Sequence, residues 1–468
     1  MEEWIVNAHI TVNCNAEQGK RKYGLSLDRS TLKIILMNQD LQNRLRRLGV
    51  TRGARDLKTE RRFTRTDAPL SKLDPGHSDD DRVKSLELLF PSGRLEETAA
   101  GACFVLDHVY PLTFQHGNES LAALFQYSPA EAALFCGNDR LAQLAFRDFL
   151  FLDTETTGLG GAGTLAFMVG VGFVERSSMT DVLVVRQYFL RDHGDETAML
   201  LLLDDLLSQK VGLVTFNGRS FDLPLLDNRY LMNRLPVQLL DMPHIDLLPP
   251  SRRLWRNRFG SVALGNLEQK LLGVQRTGED VPGWLIPGLY NDYLRSGDAR
   301  ELRRVFYHNE LDMLSMVTLT AKILRQFTAA QGDDHPLDLF SLGKWQLTLG
   351  LEEEAELNYR RAAAADLPLD YYHRSLQQLG LLLKRDGRRQ EAVPIWQQWA
   401  ATSMIDVEAH VELAKHYEWH ERDLQTAVLW TERALTLLGG WPRQQTTLIR
   451  PQLEHRLTRL RRKLGRSE

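Results

Sequence analysis

A chain of 468 residues carries a prior of about three domains, at roughly 150 residues each. Its 43% hydrophobic and 25% charged residues exclude wholesale disorder and low-complexity fibre. With 58 Lys+Arg against 61 Asp+Glu, the net charge of −3 announces no global affinity for polyanions and leaves only a local basic patch open.

Cys14, Cys103 and Cys136 form no CxxC pair, which argues against a disulfide framework or a zinc ribbon. The longest apolar run, Leu165 to Val174, is far shorter than the ~20 residues of a membrane-spanning helix. The opening Met1-Glu2-Glu3-Trp4 is acidic, unlike the basic start of a secretory signal. These features predict a soluble, cytoplasmic protein with no membrane partner.

Residues 1–85 read as an N-terminal, partly flexible segment. After Leu41, Leu45 and Leu48 at helical spacing comes a polar stretch with nine Lys/Arg between Arg44 and Arg65, and then Asp79-Asp80-Asp81. A region over 86–140 is expected to pack on the domain that follows. From 141 to 330 the pattern is α/β. Strands are predicted at Phe149–Leu152, Leu165–Phe173 and Val182–Leu190. A helix over Asp195–Ser208, a strand over Gly212–Phe216 and a helix over Phe221–Arg234 follow. This order suits a mixed sheet opened by three strands and flanked by helices. The stretch 249–298, with Pro249, Pro250, Pro282 and Pro287, reads as loop-rich, and a long helix is expected from Asp298 to Phe327.

The last third repeats itself. Leu342-Gly343, Ala355 and Tyr359 recur 37 residues later as Leu379-Gly380, Ala392 and Trp396, and Ala427, Trp430 and Ala434 form a weaker third copy. Three helix pairs over 337–440, of degenerate tetratricopeptide-like type, are the prediction, with a basic helical tail over 441–468. Such repeats are expected to hold a protein or peptide partner.

The chemistry starts at Asp153-Thr154-Glu155-Thr156-Thr157-Gly158-Leu159, where the first strand ends. Strand alternation turns Asp153 and Glu155 to one face, a costly pairing that a divalent cation relieves. Two solvated acids in a turn would account equally well for a bare D-x-E. Asn217-Gly218-Arg219-Ser220-Phe221-Asp222 follows the fourth strand, and His308 and Asp312 lie four apart on the long helix, on one face. Asp246 is a spare candidate. Together the acids suit a site for two metal ions that activate water against a phosphodiester.

DTETTGL, N-x-x-x-F-D and H-x-x-x-D, in this order, resemble the motifs of the DEDD superfamily (DnaQ-like) of 3′→5′ exonucleases on a ribonuclease H-like fold. The glycine-rich continuation 160–164 and the string Val214 to Asp222 are similar to the YprB family, whose members add tetratricopeptide-like repeats. The resemblance covers about 100–440. It implies an α/β ribonuclease H-like domain plus an all-α repeat domain, and hydrolysis of DNA or RNA from 3′ ends with two Mg²⁺ or Mn²⁺. It implies metal-ligand roles for Asp153, Glu155, Asp222 and Asp312 and a water-orienting or general-base role for His308. Tyrosine-type members carry Tyr four before the last Asp and histidine-type members His five before it, whereas this chain has His308 and Tyr307 at the opposite spacings. Helix geometry favours His308, at about 400° from Asp312 rather than about 500°. Thr156, Asn217 and the cluster Arg252, Arg253, Arg256 and Arg258 are candidate substrate-binding residues.

Three decoys fall away. Gly158-x-Gly160-x-x-Gly163 matches a dinucleotide fingerprint, but a strand pattern follows it where that fingerprint needs a helix. His416-x-Glu418-x-His420 lacks a third ligand, and the Trp396, Trp399, Trp419 and Trp430 set falls at helical positions in the repeats, where a core role is expected over a base-stacking one. The reading that competes with a nuclease is a nucleic-acid-binding or protein-interaction scaffold that keeps a nuclease-like domain with little activity. Endonuclease action also stays open, because one fold serves both.

Overall fold

The computed structural model describes residues 84–158, 163–176, 180–236, 239–328, 334–440 and 446–465. These fall in one of the two units into which the chain divides, 79–468. The basic stretch before residue 66 and most of the glycine-rich loop after Gly158 lie outside the described residues.

A short helix, Leu86–Leu89 (α1), leads into two strands, Arg94–Thr98 (β1) and Gly101–Pro111 (β2). Gln115–His116 (β3) and Glu119–Ser120 (β4) form a separate small hairpin, followed by the helix Ala130–Cys136 (α2). The central strands are Phe149–Thr156 (β5), Ala166–Glu175 (β6) and Val182–Phe189 (β7). Then come Glu196–Leu207 (α3), Gly212–Thr215 (β8), Asp222–Met232 (α4) and His244–Asp246 (β9). The sheet order is β1-β2-β7-β6-β5-β8-β9, with β8 and β9 parallel to β5 and the remaining pairs antiparallel. The expected mixed sheet is therefore present, and 94–111 adds two strands to its edge.

Alternation explains the sheet's placement. Phe149, Leu150, Phe151 and Leu152 are all buried because helices cover both faces of the central strands. One apolar cluster joins Leu150, Leu152, Phe167 and Phe189 to α3 and to the helix Ile286–Ser296. The other joins Phe149, Phe151, Val214 and Ile245 to the long helix Leu302–Thr328.

The stretch 249–298 departs from its loop-rich expectation. It holds the helix Leu248–Phe259 (α5), the short helix Leu264–Leu267 (α6) running into a π-helical turn at Glu268–Leu272, and the helix Ile286–Ser296 (α7). The prolines misled because they sit in first turns: Pro249 and Pro250 open α5, and Pro287 opens α7. There a missing N–H costs nothing, since it would have no intrahelical partner. The long helix Leu302–Thr328 (α8) starts a turn later than expected.

The C-terminal region is all helical. Pro336–Thr348 (α9) pairs with Glu352–Ala364 (α10), Leu369–Arg385 (α11) with Arg389–Thr402 (α12), and Glu408–Trp419 (α13) with Leu424–Leu438 (α14). The helix Ile449–Leu464 (α15) packs on α14. The recurring glycine has a steric reason. A Cβ at Gly380 would stand 2.3 Å from the Trp396 ring nitrogen, and one at Gly343 would stand 3.4 Å from the Tyr359 ring. Helix α9 also packs on α5, where Arg258 pairs with Asp338 at 2.8 Å, and its Trp345 meets Phe135 of α2 and Phe327 of α8 at 5.1 and 4.9 Å between ring centres.

Candidate active site

Hydrogen bonding between β5 and β8 extends only from Phe149 to Phe151, so the last half of β5 has a free edge on that side. The turn after β8 fills it. Asn217 adopts a left-handed φ of 71°, and α4 begins at Asp222. The Asp222 carboxylate accepts the Thr154 hydroxyl at 2.5 Å and lies against the strand that carries Asp153 and Glu155. Asp153 and Glu155 share a face of β5, paired with Gly170 and Met168 of β6. Helix α8 crosses that face. Ligand atoms of Glu155, His308 and Asp312 all lie within 4.8 Å of one another.

The electrostatics follow from this crowding. Burial, together with the charges of Asp222, Asp312 and Glu155, raises the Asp153 carboxyl well above the usual range. Glu155 is raised likewise by burial and by the charges of Asp312 and Asp222, with Arg276 opposing. Burial pushes Asp222 up to about 6 against its hydrogen bonds from Thr154. Burial also raises Asp312, with His308 and Arg276 pulling the other way. Asp222 and Asp312, buried, and Asp153 and Glu155, partly buried, repel one another and form a donor set of hard oxygens, which fits Mg²⁺ or Mn²⁺.

Several groups that the sequence reading did not single out complete the site. Asn309 donates to Asp153 at 3.3 Å and is itself held by Gln187 at 3.0 Å. Arg276 donates to both oxygens of buried Glu268, at 2.6 and 2.7 Å, and to Asp312. His308 Nδ1 lies 2.8 Å from Asp280 Oδ1, and His308 Nε2 lies 3.5 Å from Asp312 Oδ2. The next residue to His308 is Asn309, but an Asn inside a helix gives no sequence signal of its own. Arg276 and Asp280 sat in a stretch read as loop.

Other candidates have different surroundings. Tyr307 turns its hydroxyl to the Thr277 N–H at 3.3 Å. Asp246 is not aimed at the acids: its carboxylate accepts the backbone N–H groups of Asn217, Arg219 and Leu248 at 2.8, 3.2 and 3.0 Å, which holds the turn before Asp222. Thr156 donates to the Gly158 carbonyl at 2.7 Å. Arg252, Arg253 and Arg256 are exposed on α5, and among the described residues no ion pair engages them, whereas Arg258 is paired with Asp338. In the helical region, Glu418 is wholly buried against Arg456, Arg459 and Lys463 of α15, so much of the basic tail is internally compensated. His416 is buried and pairs with Glu421 at 3.3 Å.

Beside the acids opens a cleft of about 550 Å³, lined by Leu264, Glu268, Arg276, Asp280, Pro282 and His308 among others. The RNase_H superfamily profile matches residues 150–324, which contain all five of the clustered acids and histidine. A relative from Bacillus subtilis (strain 168), named "Uncharacterized protein YprB", is 31% identical over 387 residues, 77% of this chain and 86% of its own length. The chain belongs to the YprB family. Its β5-to-α8 core is thus an RNase H-superfamily domain of nuclease type, a class that acts on nucleic acid and commonly uses divalent metals, and the YprB-family chain adds an all-helical C-terminal region. No helix among the described residues is long and apolar enough to cross a membrane.

Proposed function

We propose that this protein is a metal-dependent nuclease, a 3′→5′ exonuclease that hydrolyses phosphodiester bonds of DNA or RNA with two Mg²⁺ or Mn²⁺. The observation that supports the reading is the meeting of Glu155 from β5 with His308 and Asp312 from α8 within 4.8 Å, beside Asp153 on the same face of β5 and Asp222, at the start of α4, held to Thr154 of that strand. Three separate chain segments bring costly like charges into one place, which a fold has little structural reason to do.

Asp153, Glu155, Asp222 and Asp312 are the residues that would hold the cations, which when bound neutralise phosphate charge and polarise water. His308 presents Nε2 on the same face and accepts the proton of the attacking water as its oxygen bonds to phosphorus. The bond from phosphorus to the 3′ oxygen then breaks, that oxygen takes a proton from solvent water, and His308 gives its proton back to solvent. Asn309 fixes the rotamer of Asp153 through its 3.3 Å hydrogen bond. The exposed Arg252, Arg253 and Arg256 on α5 suit phosphate contacts, and Asp246, just before α5, holds the turn with Asn217. The helical pairs are suited to docking a peptide or protein partner.

The test uses purified full-length protein with 3′- and 5′-labelled single- and double-stranded DNA and RNA, in Mg²⁺, Mn²⁺ or EDTA. Stepwise shortening from the 3′ end, lost in EDTA and in Asp153→Asn, is the expected result. Internal products would mean an endonuclease. Binding without any cleavage would favour the scaffold reading.

A further inference from the structure

The hydrogen-bond geometry around His308 assigns a further residue to the reaction. We infer that Asp280 is a positioning residue that fixes the ring and tautomer of His308, so that Nε2 is the nitrogen free to take a proton on the acid side of the cleft. The inference rests on the nuclease reading for its consequence, but its geometry stands apart from it.

Three polar atoms meet on one side of the imidazole. His308 Nδ1 is 2.8 Å from Asp280 Oδ1 and 2.9 Å from Arg276 Nη1, and Arg276 Nη1 is 3.2 Å from the same Asp280 oxygen. A guanidinium nitrogen can only donate and a carboxylate can only accept. If Nδ1 were bare, its lone pair would face an anionic oxygen at 2.8 Å, a repulsive contact. If Nδ1 carries the hydrogen, it donates to Asp280, Arg276 donates to the same oxygen, and the remaining Arg276–Nδ1 approach is the weaker cost. A charge-assisted bond decides the assignment.

The tautomer follows: with hydrogen on Nδ1, the neutral ring keeps its lone pair on Nε2, where the nearest carboxylate oxygen, Asp312 Oδ2, stands 3.5 Å away, a longer and weaker opposition than the 2.8 Å contact that a bare Nδ1 would face. The imidazole side chain is 17% exposed, so its orientation is set by these partners more than by water. Asp280 needs an anchor of its own, and Arg276 supplies it. That guanidinium is clamped by both oxygens of Glu268, which is 1% exposed and sits on the π-helical turn. The chain Glu268–Arg276–Asp280–His308 runs from the core to the proton-accepting nitrogen. A carboxylate behind the imidazole is how a histidine base is oriented in hydrolases of unrelated fold.

The experiment has two readouts. In metal-free full-length protein with ¹⁵N-labelled histidine at pH 9, long-range ¹H–¹⁵N spectra report which ring nitrogen carries the hydrogen, with His308→Gln identifying the His308 signals. Wild type should show the Nδ1–H form. Asp280→Asn, whose carboxamide can offer an N–H to the ring, should move His308 to the Nε2–H form. In the cleavage assay the same variant should lower kcat about 10–100-fold with KM and Mn²⁺ affinity unchanged, the size typical of removing the orienting partner of a functional histidine. Asp280→Glu should restore part of kcat and the wild-type tautomer, which separates orientation from folding. An unchanged tautomer or an unchanged kcat in Asp280→Asn overturns the inference. An Nδ1–H wild type that cleaves nothing sinks the nuclease reading instead, and leaves the orientation standing.

Discussion

Asn309 reaches Asp153 at 3.3 Å across a gap in β6 that only a glycine can leave. The gap is Gly170, the residue opposite Asp153 in the sheet, where a Cβ would stand 2.0 Å from the Asn309 carboxamide oxygen. The arrangement ties the floor of the site to the buried Gln187 behind it.

Gly170→Ala should therefore displace Asn309 and cost about 1–3 kcal/mol, as overpacking of a filled core does. Activity should fall with it, and Asn309→Ala should lower activity while removing the clash. The check is a denaturant melt of the single and double variants. A Gly170→Ala protein as stable and active as wild type would show that Asn309 does not occupy this gap.

The acid cluster gives a pH prediction. A carboxyl whose folded pKa is raised binds more protons in the folded than in the unfolded state, so it favours folding at low pH and loses that contribution as pH rises. For Asp222 the window runs from 3.8 to about 6, and Asp153 and Glu155 are raised in the same direction. Metal-free protein should thus lose stability across this range, and added Mn²⁺ should raise Tm more at pH 8 than at pH 5. Asp153→Asn should abolish cleavage, raise the metal-free Tm and flatten the pH dependence. Calorimetry at several pH values with and without EDTA reads all three. A lower metal-free Tm for the variant would count against carboxylate repulsion.

His308 and Tyr307 are separable by turnover. His308 shares its 4.8 Å group with Glu155 and Asp312, while the Tyr307 hydroxyl is taken by Thr277. His308→Ala should lower kcat by about 10²–10⁴ with little change in KM, the range for losing a general base. Tyr307→Phe should do much less. The reverse order in steady-state kinetics would place the tyrosine at the reacting centre.

The arginines of α5 divide into two kinds. Arg252, Arg253 and Arg256 are exposed and carry no ion pair among the described residues, so each phosphate contact they make should add about 0.7 to the salt slope for a single strand. Arg258 is committed to Asp338, whose carboxyl burial pushes up to about 6. Arg258→Ala should leave the salt slope unchanged and lower stability instead, because a buried acid loses its partner. Binding isotherms of cleavage-dead Asp153→Asn at several salt concentrations distinguish the two groups.

The boundary after the nuclease-type domain also makes a testable case. Leu342 and Trp345 of α9 lie in the same apolar cluster as Phe149, Phe151 and Met313. A chain ending at residue 336 should expose Phe135 and Phe327 and aggregate or melt early, while one ending after Ala364 should stay folded. Light scattering during a thermal ramp compares them. Equal stability of the two would mean that α9 adds nothing to the domain it touches.

Much of the architecture was legible from periodicity. The run Phe149 to Leu152 could only be a strand covered on both faces, and the glycine-to-aromatic spacing in the helical region reports a steric need that the Gly380–Trp396 contact makes plain. Strands β1 and β2 were missed because their partners are distant in sequence and their alternation is irregular, with Cys103 to Leu106 all buried. The acids were visible because D-x-E at a strand end is locally costly. Arg276, Asp280, Asn309 and Gly170 were not, because their meaning comes only from what stands opposite them in space. Prolines 249, 250 and 287 hid two helices by being read as breakers rather than openers.

Stacked helical hairpins have no natural last member, since each leaves an apolar flank for another. Here α15 closes that flank: Leu453 and Leu460 turn inward, and Arg456, Arg459 and Lys463 gather on the enclosed Glu418. Arg461 reaches back to Glu432 of α14 at 2.8 Å, and Arg462 faces solvent. The basic helical tail of the sequence is in the fold a cover for the last helical pair. Without it, the apolar edge formed by Val407, Ala434 and Leu438, which Leu453 now covers, would stand open to water.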